Sequence, residues 1–201
     1  SDNREKISLI PLSLSKAMNP AVEEDNPTLH PRDLLIVLSL SDNRNELISQ
    51  YINELRLQAR YDQPEAVVSI KGNVRYPGDY PLGPNMRVDD LISASLNLLP
   101  ETDMQYALLE RIEADGTTTI LPVSLMAALS VPESADNMAL RMKDSLIVFN
   151  KAGDRQQAIG EILSDLKGQA ILGQPARVAS INGHVKQIGS YPLTQGMRIS
   201  D

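Results

Sequence analysis

The chain contains no cysteine and no tryptophan, a single phenylalanine and two histidines. Without cysteine, disulfides and thiolate metal sites are excluded. Aromatic residues make up only 3% of the sequence, so its interiors must be built from Leu, Ile, Val and Met. No apolar run approaches the roughly 20 residues that a membrane-spanning helix needs. Basic residues are the minority charge, 19 against 26 acidic, giving a net charge of −7 and a pI near 4.9. Nothing resembles the basic groove of a nucleic-acid binder, and that class is set aside.

What is present is a repeat. Residues 67–92 read VVSIKGNVRYPGDYPLGPNMRVDDLI. Val68, Ile70 and Val74 alternate as in a half-buried strand. Pro77-Gly78 breaks it, with Gly78 expected at positive φ in a type II turn. Tyr80 and Leu82 resume the alternation, and Asp89-Asp90-Leu91-Ile92 begins a helix. Residues 178–201 match this stretch without gaps at an offset of 111, with twelve identities including Gly72/Gly183, Gly78/Gly189, Tyr80/Tyr191, Pro81/Pro192 and Leu82/Leu193. Extended backwards, residues 1–90 share 30 identities with residues 112–201, among them Asp33/Asp144, Leu35/Leu146, Ile36/Ile147 and Val37/Val148. A unit of this length that recurs decides the architecture before any single motif does.

The pattern carried by Ile70, Gly72, Val74, Pro77, Gly78, Tyr80, Pro81 and Leu82, followed by Asp90-Leu91-Ile92, resembles the SLBB domain, a soluble ligand-binding β-grasp module. Gly183, Gly189, Tyr191, Pro192 and Leu193 carry it in the second copy. The sequence departs from the family pattern at Ala94-Ser95-Leu96, where a small residue and two glycines usually stand, and at Ile188, which replaces Pro77. The resemblance implies an α+β chain of ubiquitin-like β-grasp SLBB units in tandem, joined by amphipathic linker helices. It further implies a periplasmic part of a polysaccharide (capsule) export protein whose leader and outer-membrane anchor lie elsewhere.

On this reading residues 1–40 are the closing part of one copy, so the chain begins mid-domain. Residues 41–66 form a linker helix, 67–150 a complete copy, 151–177 a second linker helix and 178–201 the opening part of a further copy. In the first part, Ile7–Leu12 is expected as a strand, Ser13–Met18 as a helical turn, Glu23-Glu24-Asp25 as a solvated loop and Leu34–Leu38 as a buried closing strand. In the linkers, Asn43 with Glu46 has capping-box spacing and Leu47, Ile48, Tyr51, Ile52 and Leu55 share a face. Asp154 with Gln157, the stripe Ala158, Ile159, Ile162, Leu163 and Leu166, and the stop at Gly168 repeat that design. Asp62-Gln63-Pro64 and Gly173-Gln174-Pro175 lead into the following strands. The complete copy adds a helix over 88–96, strands at Tyr106–Ile112 and Thr118–Val123 joined through Asp115-Gly116, a short helix at Ser124–Leu129 and a closing strand at Ser145–Phe149.

Candidate chemistry is sparse. His30 and His184 occupy different repeat positions, and no carboxylate or serine stands at triad or metal spacing beside them. Asp89-Asp90 reads as a pair of first-turn helix acids rather than a catalytic carboxylate pair. Glu23-Glu24-Asp25 lacks the alternating ligands and central glycine of a calcium loop. Tyr80 and Tyr191 read as core residues. Tyr76, with neighbouring Arg75, is the aromatic placed to touch a sugar or other ligand. Gly72 and Gly183 read as sites of a bulge or of close backbone approach rather than of ligand access. No catalytic residue, metal site or cofactor is expected, and the chain is read as a non-enzyme. Its expected partners are polysaccharide in the parent protein and other copies of itself, head to tail, with no membrane insertion of its own. The alternative is a soluble-ligand or carbohydrate-binding module without a channel role.

Overall fold

The computed structural model describes residues 6–19, 26–39, 44–60, 65–171, 174–185, 187–194 and 197–199. Its centre is a five-stranded mixed sheet in the order β2-β1-β5-β3-β4. The strands are β1 (Val67–Gly72), β2 (Gly78–Pro81), β3 (Thr102–Ile112), β4 (Thr118–Val123) and β5 (Ser145–Asn150). β1 and β5 run parallel, and every other neighbouring pair is antiparallel. This α+β arrangement is compatible with a β-grasp-like fold.

Both faces of the sheet are covered, which explains why β5 is the continuous apolar run SLIVF rather than an alternating one. Leu146 and Val148 point to one side with Val68, Ile70, Tyr80, Ala107 and Leu109, against Val88, Leu91 and Ile92 of α3 (Val88–Ala94) and Leu125 and Ala128 of α4 (Leu125–Ser130). Ile147 and Phe149 point to the other with Leu108 and Ile120. There they meet Ile159 and the Ile162, Leu163 and Leu166 stripe of α6 (Gly160–Gly168). Each such aliphatic side chain contributes about 1.5–3 kcal/mol on burial. The exposed Lys71–Glu161 pair nearby, 3.6 Å apart, belongs to a class worth about 0–1 kcal/mol. Apolar packing therefore holds α6 in place.

The helix starts follow local chemistry. The Asp90 carboxylate accepts the Arg87 backbone N–H at 2.9 Å, and Asp89 accepts the N–H of Asp90, so both acids serve the first turn of α3. Ser124 caps α4, and Asp154 accepts the N–H groups of Gln156 and Gln157 at the start of α5 (Arg155–Ala158). Asn43, the expected cap of α2 (Arg44–Gln58), lies outside the described residues, as do Glu23-Glu24-Asp25, Asp62-Gln63-Pro64 and Gly173.

Five expectations are corrected. Leu34–Leu38 is not a buried strand: Leu34 is 71% and Val37 65% exposed, and among the described residues no strand pairs with this segment. Its equivalent β5 is a strand because β1 and β3 flank it. Ile7–Leu12 likewise runs without a strand partner among the described residues, with Ile7 and Leu9 laid against Ile52, Leu55 and Val67, and the turn after it is the short α1 (Leu14–Ala17). The residue 154–167 helix divides into α5 and α6 at Ile159, whose φ of −107° and ψ of 7° leave the helical range. β3 starts at Thr102, with a register shift before Ala107. Leu47 is 46% exposed, so the inward face of α2 is carried by Ile48, Ile52 and Leu55.

Beyond α6, β6 (Val178–Ile181) and β7 (Gly189–Pro192) form a second hairpin. All four of its pairings are those of β1 and β2 shifted by 111: Val67↔Pro81 becomes Val178↔Pro192, and Ile70↔Gly78 becomes Ile181↔Gly189. The backbone signs repeat as well, with φ of +90° and +102° at Gly72 and Gly183, and +150° and +139° at Gly78 and Gly189.

Candidate functional site: the signature hairpin and its clefts

In the signature segment most residues serve the core. Ile70 is fully buried, Val74 and Tyr80 nearly so, and Leu82 packs beside them. Tyr80 donates its hydroxyl to the Tyr76 carbonyl at 2.7 Å, and burial pushes its pKa up to about 12. Tyr191 makes the same contact four residues back, to the Gln187 carbonyl at 3.2 Å. Both tyrosines thus lie with their rings inside, as the alternation predicts.

The glycines answer to backbone geometry. A Cβ on Gly72 would sit 2.0 Å from the carbonyl oxygen of Val148, so a side chain is excluded by the close approach of β5. Gly78 does hold positive φ, but at +150° it is the first residue of β2, not the third position of a type II turn. Leu96 and Asn97 also stand at positive φ, +59° and +71°. This is where the family pattern usually has glycine, so the departure at Ala94-Ser95-Leu96 places a leucine in the left-handed region.

The loop between β1 and β2 carries Arg75 and Tyr76. Their N–H groups donate to the Asn97 and Ser95 carbonyls, which ties the loop to the end of α3. The Arg75 guanidinium lies 5.8 Å from the centroid of the half-buried Tyr76 ring, a cation–π pair at the surface. Pro77 is exposed beside them.

Two clefts open where α2 meets the hairpin. The larger, about 300 Å³, is lined by Arg56, Glu65, Val67, Val68, Ser69, Asp79, Ile112 and Lys143. The smaller, about 230 Å³, lies between Ser49, Ile52, Asn53 and Arg56 on α2 and Pro77, Gly78 and Asp79. Arg56 joins them, 2.7 Å from Asp79 and 3.4 Å from Glu65, and its pKa is raised chiefly by the Asp79 hydrogen bond. The guanidinium charge is thereby balanced by two carboxylates, and the clefts present mixed polar and apolar walls without a concentrated charge. Neither is lined by Arg75 or Tyr76. Nothing in the sequence points to Arg56, Asp79 and Glu65, because a contact between α2 and a strand far along the chain leaves no local pattern.

The candidate titratable residues stand apart from the clefts. His30 faces Asp33 at 3.7 Å on an exposed turn, and His184 is exposed. Ser49, which lines the smaller cleft, donates its hydroxyl to the Glu46 carbonyl. Among the described residues no group of three or more His, Cys, Asp or Glu side chains is placed to hold a metal, and no helix is long and apolar enough to cross a membrane.

On the far side of the sheet, the stacked rings of Tyr106 and Phe149 lie 5.8 Å apart and both face the guanidinium of Arg155, which also pairs with Asp103. Arg155 opens α5. Arg44, its equivalent at an offset of 111, opens α2 and donates to the Ala94 carbonyl at the end of α3. Gln156 then reaches the second hairpin, accepting from the Ser190 N–H at 2.9 Å and donating to the Ser190 carbonyl at 3.0 Å.

No curated protein matches the chain. A family model, SLBB domain, matches residues 67–95, which are β1, the Arg75–Tyr76 loop, β2 and α3. SLBB is a family of binding domains rather than of enzymes. Residues 67–95 are thus similar to an SLBB domain, and the matched segment forms one edge of the central sheet and the helix packed beneath it.

Proposed function

We propose that the chain is a structural repeat segment of a polysaccharide export protein in the periplasm, anchored at the outer membrane through other parts of the parent. Tandem SLBB units, joined by linker helices, build the wall past which the polysaccharide moves, and no residue acts chemically on the glycan. The observation that carries this reading is the placement of α5 and α6. On one side they pack on Leu108, Ile120, Ile147 and Phe149 of the sheet, and on the other they hold Tyr191, Val178 and Ser190 of the next hairpin. A linker fixed on both sides transmits the orientation of one unit to the next, which a wall requires and an isolated binding module does not.

A second reading rests on the Arg75–Tyr76 pair. A cation–π platform of exposed Arg75 on half-buried Tyr76 suits the face of a sugar ring or another soluble ligand. Cell-surface polysaccharide separates the two, measured in strains that carry single variants in place of the unaltered chain. The structural reading predicts that Tyr76→Ala keeps surface polysaccharide at its normal level while Leu166→Asp, which detaches α6 from the sheet, abolishes it. Loss of surface polysaccharide in Tyr76→Ala at normal protein level favours the binding module. Undiminished surface polysaccharide in a strain lacking the protein overturns the export role.

A further inference from the structure

We propose that Arg44 and Arg75, gathered with Tyr76 at the end of α3, make this loop selective for an anionic saccharide, a sugar that carries a carboxylate. The inference rests on the reading of Arg75–Tyr76 as a ligand platform and adds to it the charge of the ligand.

Carbonyls at the end of α3 bring the three residues together. The Arg44 guanidinium donates to the Ala94 carbonyl at 3.2 Å. The Tyr76 N–H donates to the Ser95 carbonyl and the Arg75 N–H to the Asn97 carbonyl, both at 3.1 Å. The Arg75 guanidinium stays exposed, 5.8 Å from the centroid of the Tyr76 ring. Arg44 is half-buried, and its charge reaches the Tyr80 hydroxyl, which donates to the Tyr76 carbonyl at 2.7 Å. The carbonyls of a helix end disfavour an anion, but here donors already cover them.

What marks the two arginines is their lack of counter-charge. In a chain of net charge −7, Arg56, Arg111, Arg141 and Arg155 each pair with a carboxylate. Among the described residues no carboxylate pairs with Arg44 or Arg75, and the Arg44 Nε meets no acceptor. A planar carboxylate matches the fork of a guanidinium through two parallel hydrogen bonds. Inorganic phosphate would meet the cations and leave the ring unused, whereas a neutral sugar would use the ring and leave the charge unanswered. A sugar with a carboxylate answers both. Asn97, exposed beside Arg75, offers a side-chain amide to the sugar hydroxyls.

Nitrogen–proton correlation spectra of the whole chain, arginine Nε–H signals included, test this by titration with methyl glucuronide, methyl glucoside or inorganic phosphate at constant ionic strength. Glucuronide is expected to shift the Arg75, Tyr76 and Asn97 amides and the Arg44 and Arg75 side-chain signals saturably, with a dissociation constant in the millimolar range. The Gln187 amide, at the place of Tyr76 in the second hairpin, is expected to stay unmoved. Glucoside and phosphate are each expected to bind about tenfold more weakly, as are glucuronide to Arg75→Gln and to Arg44→Gln, the loss of one charge-assisted contact. Circular dichroism verifies that both variants fold. Glucoside binding as tightly as glucuronide overturns the charge selectivity and leaves the platform reading standing. Phosphate binding as tightly as glucuronide, or unchanged glucuronide binding in either folded variant, also overturns the proposal. No shift at these residues with any of the three overturns the platform reading along with it.

Discussion

The Val148 carbonyl oxygen occupies the place of a Gly72 Cβ, at 2.0 Å, and accepts the Asn73 N–H at 2.9 Å. One contact thus explains why glycine ends β1. The chain must turn to φ of +90° there while a parallel neighbour crosses at backbone distance.

Gly72→Ala is expected to cost more than the about 1–3 kcal/mol of a residue held at an unfavourable φ, because β5 must also shift. Gly183→Ala meets open space and is expected to cost no more than that range. Urea midpoints of the two variants check the difference, and equal shifts contradict it.

Tyr80→Ala is expected to cost about 3–5 kcal/mol through the cavity left between β2 and α3. Tyr80→Phe keeps the ring but leaves the Tyr76 carbonyl without its 2.7 Å donor, for about 0.5–1.5 kcal/mol. Urea unfolding of both variants tests the split, and a shift below about 1 kcal/mol for the alanine variant would mean that the ring packs little.

Those two residues show how far the fold is legible in the sequence. Period-two alternation puts Val68, Ile70 and Tyr80 on the buried face, and the apolar run of β5 foretells a strand covered on both sides. Leu35-Ile36-Val37 has the same three residues as Leu146-Ile147-Val148, and by pattern alone the two should behave alike. They do not, because a strand is a property of pairing, and side-chain pattern records what a segment tolerates rather than which neighbours it has. The Arg56–Asp79 pair and the Arg155 clamp on Tyr106 and Phe149 are illegible for a related reason. Each joins elements far apart in the chain through one long side chain, without periodicity to mark it.

Arg111 and Asp144 form a buried bidentate pair, at 2.9 Å through Nε and 2.6 Å through Nη2, and Asp144 also accepts the Arg141 N–H. Arg111→Ala leaves the carboxylate buried and is expected to cost about 3–5 kcal/mol. Adding Asp144→Ala to it is expected to cost clearly less than the sum of the two single variants, a coupling that a double-mutant cycle in urea reads directly. Additive costs contradict the pair.

Burial pushes the Glu110 carboxyl above its ordinary pKa, with Lys71 opposing and Asp165 and Glu161 adding to the rise. Between the ordinary and the raised value the folded chain binds more protons than the unfolded one, so stability falls as pH rises through that window. Glu110→Gln is therefore expected to raise the melting temperature at pH 7, with the gain fading below about pH 4, where the carboxyl is neutral in both states. A gain that persists undiminished in acid contradicts the assignment.

The central claim is that α5 and α6 fix one unit's sheet to the next unit's hairpin. Spin labels on cysteines introduced at exposed Ala114 and His184 report it, because the chain has no other thiol. Pulsed electron–electron resonance is recorded with the labelled chain diluted in unlabelled chain, so that only distances within one molecule count. A single narrow distance distribution is predicted, unchanged by Tyr76→Ala and broadened by Leu166→Asp. A broad distribution in the otherwise unaltered chain would show that the hairpin swings freely on its linker, and the wall-building account would be wrong.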